Sequence, residues 1–315
     1  LGHFLNLTES QKRQYIDAEA VFCALEQAVA DARGVRGSMF WREQAGRRYL
    51  IRESAAGAQK SLGPDTLENQ QILARFVERK ADADARVQSL KTALKEQQRL
   101  NRALRVGRVP NVVVDTLQAL AQAGLQEHFL TVGTHALYAY ETTAGVRVQS
   151  AATATRDIDL LFDTQKRLSF VTQLQRLDTS LMGVLRKADK TFKIRRDQLQ
   201  TAVNATGFEV DIIRRTARDG DPHPLRMSDD EADIWAVQFP SGQTLLSSSR
   251  FSQVVVATSG AMARMDTIHP SDFARIKHAL AARADRDPLK KSKDELQAQV
   301  VEGLLAEYLP HLRKT

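Results

Sequence analysis

Two short stretches, Asp157-Ile158-Asp159-Leu160-Leu161-Phe162 and Phe208-Glu209-Val210-Asp211-Ile212-Ile213, alternate carboxylates with large apolar residues and then turn wholly apolar. Successive side chains of a β-strand point to opposite faces. Each stretch therefore reads as a strand that buries Ile158 and Leu160, or Phe208, Val210 and Ile212, while Asp157 and Asp159, or Glu209 and Asp211, share the other face. If the two strands are neighbours, Asp157, Asp159 and Asp211 converge. Carboxylates so close raise one another's pKa unless a divalent cation lies between them. Magnesium is the expected ion, with manganese as its substitute. Two such ions on three carboxylates can activate an attacking hydroxyl and hold the phosphates of a nucleotide. Asp157, Asp159 and Asp211 are thus the candidate catalytic and metal-binding residues.

The segments around these strands have a compatible order. Residues 112–125 carry helical periodicity, Phe129-Leu130-Thr131-Val132 is a short apolar strand, and Gly133-Thr134 turns abruptly into a helix beginning at His135. Glycine lets a backbone approach a phosphate, and threonine adds a hydroxyl at a helix N-terminus, so Gly133 and Thr134 are nucleotide-binding candidates. His135 reads as a packing residue at least as readily as a phosphate contact. Residues 151–155 read as a small-residue loop, 164–182 as helical, and 253–258 and 261–267 as strands around Ser259-Gly260. From Ser271 the chain is largely helical. An Asp-x-Asp alone is common in surface turns; strand, Gly-Thr, helix, Asp-x-Asp and a third Asp in this order is far more specific.

Pro110 separates this texture from a different one upstream. Residues 10–33 and a long segment from Pro64-Asp65-Thr66 read as helices, and a hairpin with a glycine turn at Glu43-Gln44-Ala45-Gly46 lies between them. The near-heptad stripe Leu73, Phe76, Ala83, Val87, Leu90, Leu94 asks for a partner helix. An internal helical hairpin is the simpler reading, and a homodimer through the long helix the alternative. The expected organisation is an N-terminal helix and β-hairpin module over 1–108, a catalytic domain over 109–268 and a C-terminal helical domain over 269–315.

Composition narrows the function classes. Forty-five Lys plus Arg against 38 Asp plus Glu give a net charge of +7, and the basic residues are clustered. Arg99, Arg102, Arg105 and Arg108 end the long helix; Arg186, Lys187, Lys190, Lys193, Arg195 and Arg196 follow residue 182; Lys290, Lys291 and Lys293 lie in the tail. Cations beside a phosphoryl-transfer site offset developing charge. Lys190 and Arg156, the neighbour of Asp157, are therefore further nucleotide-binding candidates. The single cysteine, Cys23, excludes a disulfide framework and suits a reducing cytoplasm. No apolar stretch is long enough to span a bilayer, and no secretory signal opens the sequence. P-loop, dinucleotide-binding, Gly-x-Ser-x-Gly and thiol-based zinc patterns are absent.

The Gly133-Thr134 turn, Asp157-Ile158-Asp159 and the later Asp211 resemble the nucleotidyltransferases of the DNA polymerase beta superfamily. Thr134 stands where serine is usual, and the interval from Gly133 to Asp157 is longer than common. The strings VGTHALYAYETTAGVRV, ATRDIDLL and HPSDFARIKHALAARADRDPLKKSKDELQAQ resemble a bacterial family of predicted nucleotidyltransferases over nearly the whole chain. That family is related to abortive-infection toxin nucleotidyltransferases. The resemblance implies an α+β nucleotidyltransferase fold with a mixed β-sheet, flanked by the N-terminal helix and hairpin module and the C-terminal helical domain. It implies a metal-dependent enzyme of EC 2.7.7 type that moves a nucleoside monophosphate from an NTP, ATP included, to a hydroxyl acceptor. RNA or tRNA would be the acceptor class, and a toxin or defence role would follow. By position it makes Lys277 a nucleotide-binding residue, with Arg283, Arg286 and Asp294 as weaker matches. A non-catalytic scaffold that binds nucleic acid or protein is the alternative; it has no need of three carboxylates.

Overall fold

A computed structural model describes residues 4–314 of the chain. Contacts divide it into two compact units, residues 13–103 and residues up to 12 together with 104 onward. In the first unit, α1 (Glu9–Ala32) runs in from the other unit and is followed by β1 (Ser38–Gln44), β2 (Arg47–Glu53), β3 (Gln59–Pro64) and α2 (Leu67–Ala103). The hairpin turn falls at Ala45 and Gly46, both with positive φ, as a tight turn between twisted antiparallel strands requires. The third strand, β3, goes beyond the hairpin expected from sequence. Gln14 on α1 donates to Gln97 Oε1 (2.8 Å) and Asn101 Oδ1 (3.1 Å) on α2, so α1 meets the last turns of α2 within one chain.

The second unit is built on a seven-stranded mixed sheet. Its elements are α3 (Asn111–Gln122), β4 (Phe129–Val132), α4 (Ala136–Ala144), β5 (Asp157–Phe162), α5 (Arg167–Arg176), α6 (Leu181–Ala188), β6 (Lys193–Ile194), β7 (Thr201–Val203), β8 (Glu209–Arg214), β9 (Leu225–Arg226) and β10 (Trp235–Gln238). The main path runs β9-β10-β8-β5-β4, and β6 is attached through β7 to the first half of β8. A hairpin of β11 (Arg250–Val256) and β12 (Met262–Ile268) and the helices α7 (Pro270–Ala281) and α8 (Pro288–Glu307) belong to the same unit, as do the paired segments Phe4–Asn6 and Val146–Val148 and the helix Gly242–Ser247. The architecture is α+β with a mixed sheet and helical N- and C-terminal regions.

The alternation of the two acidic strands settles which face lies on the core. Ile158, Leu160, Val210 and Ile212 are fully buried, and Phe208 nearly so. β5 and β8 run parallel, which demands the long crossover 163–208 between them. Sequence periodicity suggests one helix over 164–182; the crossover instead holds α5 and α6, separated by Asp178 in the left-handed region and by Ser180, whose side chain caps α6. Residues 151–155, read as a loop, include a single helical turn, Ser150–Thr153. From the basic run ending at 108, Arg108 is committed to structure: it donates through Nε to Glu141 (2.9 Å) and forms a buried ion pair with it.

Candidate active site and metal centre

Register across the sheet assembles the acidic cluster. Asp157 lies opposite Glu209 and Asp159 opposite Asp211, in register along the parallel pair β5–β8. Two rows result: Lys193, Val203, Glu209 and Asp157 are successive neighbours, as are Thr201, Asp211, Asp159 and Val132. Asp157, Asp159 and Asp211 each offer a carboxylate oxygen within 4.8 Å of the others. Glu209, the fourth carboxylate of this face, is paired with Arg195 at 2.7 Å.

The electrostatics show how little offsets the three acids. Burial, then the charges of Asp157 and Asp211, push Asp159 up to about 7, and Lys277 and Lys290 only partly counter this. Burial also raises Asp211, although Thr201 donates to its Oδ1. Thr155 donates in the same way to Asp157. An all-oxygen donor set with excess negative charge suits a hard divalent cation such as Mg2+ or Mn2+. These residues fit such an ion.

Gly133 follows directly on Val132, the strand partner of Asp159, with φ +68°. A Cβ at this position would lie 2.4 Å from Asp159 Oδ2, so only glycine allows the turn and the carboxylate to meet. Gly133, Thr134, Asp157 and Asp159 line a cavity of about 330 Å³. Its opposite walls come from α7 and α8. Lys277 Nζ contacts Asp294 Oδ1 (2.7 Å), and Arg286 contacts the other oxygen of the same carboxylate (2.6 Å). Burial lowers the pKa of Lys277 despite that partner. On α8, Lys290, Lys293, Asp294 and Gln297 follow helical spacing and all face the cavity. Phe239, Leu245, Phe273, Ile276 and Leu280 supply an apolar wall.

The structure thus brings Gly133, Thr134, Asp157, Asp159 and Lys277 to one cavity and sets Asp211 beside it. Arg156 and Lys190 are not among the lining residues. Arg156 donates to the carbonyl of Thr206, and Lys190 is exposed in the turn after α6. Arg283 pairs with Asp285 at the surface. His135 is buried between Tyr138 and Phe208, and burial lowers its pKa to about 4. The sequence reading omitted Gln297, Thr155 and Thr201. Gln297 is fully buried, and its amide donates to Thr134 Oγ1 (3.0 Å) and to the Ala152 carbonyl (2.8 Å). The helical spacing of 290, 293, 294 and 297 was the available signal for it.

A family model described as nucleotidyltransferase matches residues 111–315, about two thirds of the chain. The matched region contains every residue of the cavity and the acidic cluster. No curated protein and no solved structure matches the chain.

Proposed function

The chain belongs to the nucleotidyltransferase family, and from that premise we propose that it transfers a nucleoside monophosphate from an NTP to a hydroxyl acceptor, with Asp157, Asp159 and Asp211 holding Mg2+ or Mn2+. The observation that carries this reading is the in-register meeting of three carboxylates beside the Gly133 turn, on the wall of a cavity with cationic and apolar sides. When bound, the divalent ion would polarise the phosphates and lower the pKa of the attacking hydroxyl.

The protein's own residues divide the remaining work. Gly133 admits the triphosphate close to the backbone, and the Thr134 hydroxyl donates to it. Lys277, Lys290 and Lys293 offset its charge, and the apolar wall packs against the base. The acceptor oxygen bonds to the α-phosphorus as the bond to the bridging oxygen breaks, and pyrophosphate leaves with that electron pair. Asp211, outside the cavity lining, takes the proton of the acceptor hydroxyl. Lys190, Lys193 and Arg196 are exposed, and no ion pair involves them among the described residues. Such cations beyond Asp211 support an RNA acceptor, tRNA included. A toxin role would appear as growth arrest on expression that requires Asp159.

Incubation with each labelled NTP, Mg2+ or Mn2+, and total cellular RNA plus protein tests the reading. Label should enter one fraction, and Asp157→Ala should abolish it. Absence of both NTP binding and labelling would overturn the assignment.

A further inference from the structure

The amide of Gln297 is fixed in orientation by its surroundings. The Ala152 carbonyl can only accept, so the amide group 2.8 Å from it must be the NH2. The second hydrogen of that NH2 then points to Thr134 Oγ1 at 3.0 Å, and Thr134 is the acceptor in this contact. A hydroxyl that accepts through a lone pair retains its own hydrogen for another partner. Among the described residues no acceptor takes it, and Thr134 lines the cavity beside Gly133. Gln297 is itself fully buried, with Oε1 unpartnered.

We propose that Gln297 is a positioning residue that orients the Thr134 hydroxyl as a hydrogen-bond donor to a phosphate oxygen of the bound triphosphate. This rests on the nucleotidyltransferase reading and adds to it a residue that does not touch the substrate. Its Nε2 takes one of the two lone pairs of the Thr134 oxygen from behind, which leaves the hydroxyl hydrogen free to be directed at the incoming anion. The same NH2 ties α8 to the 150–153 turn, which fixes the distance at which this happens. The triphosphate is recognised for its chemistry alone, an anionic oxygen acceptor common to all four nucleotides.

The test measures binding of inorganic tripolyphosphate with Mg2+ to the full chain by calorimetry, in a double-mutant cycle. Gln297→Met removes both donors at nearly constant volume, and Thr134→Val removes the hydroxyl at constant shape. Gln297→Met should weaken binding about tenfold, or about 1.4 kcal/mol, in the wild-type background. It should have less than a twofold effect once Thr134→Val is present. Thr134→Ser, which retains the hydroxyl, should keep both the affinity and the sensitivity to Gln297→Met. Equal weakening in both backgrounds, or none in either, would overturn the proposal, since a merely structural glutamine would act independently of Thr134. If Gln297→Met does not fold, Gln297→Glu takes its place: its carboxylate would accept the Thr134 hydrogen, so binding that matches the wild type would equally overturn the proposal. Failure of the wild-type chain to bind tripolyphosphate or any NTP would overturn the nucleotidyltransferase reading, and this proposal with it.

Discussion

At the scale of single residues, Gly133 and Asp159 constrain each other. A methyl group at 133 would collide with the Asp159 carboxylate and hold a side-chain residue at φ +68°. Gly133→Ala should cost about 2 kcal/mol of stability and lose divalent-ion binding; urea unfolding and metal titration check the two effects separately. Asp159 also predicts a pH dependence. Its folded-state pKa of about 7 lies above the unfolded value of about 3.9. The folded chain therefore holds a proton that the unfolded chain has released between those values, and stability falls as pH rises through that window. His135 acts oppositely: its pKa is lowered to about 4, so its contribution is lost as pH falls from about 6.5 toward 4. Comparison with Asp159→Asn isolates the first effect. The metal-free variant should gain about 3 kcal/mol over wild type between pH 4 and pH 7, with little difference at pH 4, measured by urea unfolding at each pH. Because the ion displaces this proton, Mg2+ affinity of the wild type should rise across the same interval.

At the scale of elements, helices α7 and α8 are joined by one buried carboxylate. Asp294 is 2% exposed and accepts from Lys277 on α7 and from Arg286 between the helices. Asp294→Ala leaves a buried ammonium without its counter-ion and should cost about 3 kcal/mol, read as a drop in the urea midpoint. Between β9 and β10, Asp233 performs a different service for the crossover: its carboxylate accepts from the backbone N–H of Leu181 (3.1 Å) and Met182 (2.8 Å) and from Ser228 Oγ (2.6 Å). Asp233→Ala should cost about 2 kcal/mol while leaving nucleotide affinity intact. Elements with an internal pattern were legible in the sequence. β5 and β8 declared themselves by alternation, and Gly133-Thr134 by its place between strand and helix. The elements without one were not. β3 is an exposed strand containing Gly63 and Pro64, β6 and β7 are two and three residues long, and Ser150–Thr153 is one turn; tertiary contacts stabilise all of them. Lys277 and Asp294 came from family resemblance. Gln297 shares a helix face with Lys290, Lys293 and Asp294, but that spacing marks the face only; its role needs its neighbours across the cavity, Thr134 and Ala152.

At the scale of the whole molecule, the second unit contains the cavity and the acidic cluster entirely. Its two chain segments meet where the other unit is inserted: Gln11 Nε2 donates to the carbonyl of Leu104 (3.0 Å). Replacing residues 13–103 by a short Gly/Ser linker should therefore leave a folded protein that binds tripolyphosphate with Mg2+ within threefold of the full chain, as calorimetry would record. The central sheet also ends in a particular way. One end of its main path, β9, and the attached β6 are only two residues long, and the other end, β4, is buried along its whole length. An edge strand exposes unpaired N–H and C=O groups on which another chain can add a strand. Here the short edges present too few such groups to template a second chain, and the long one is covered. The sheet that carries the acidic cluster is thereby guarded against aggregation by edge-to-edge growth.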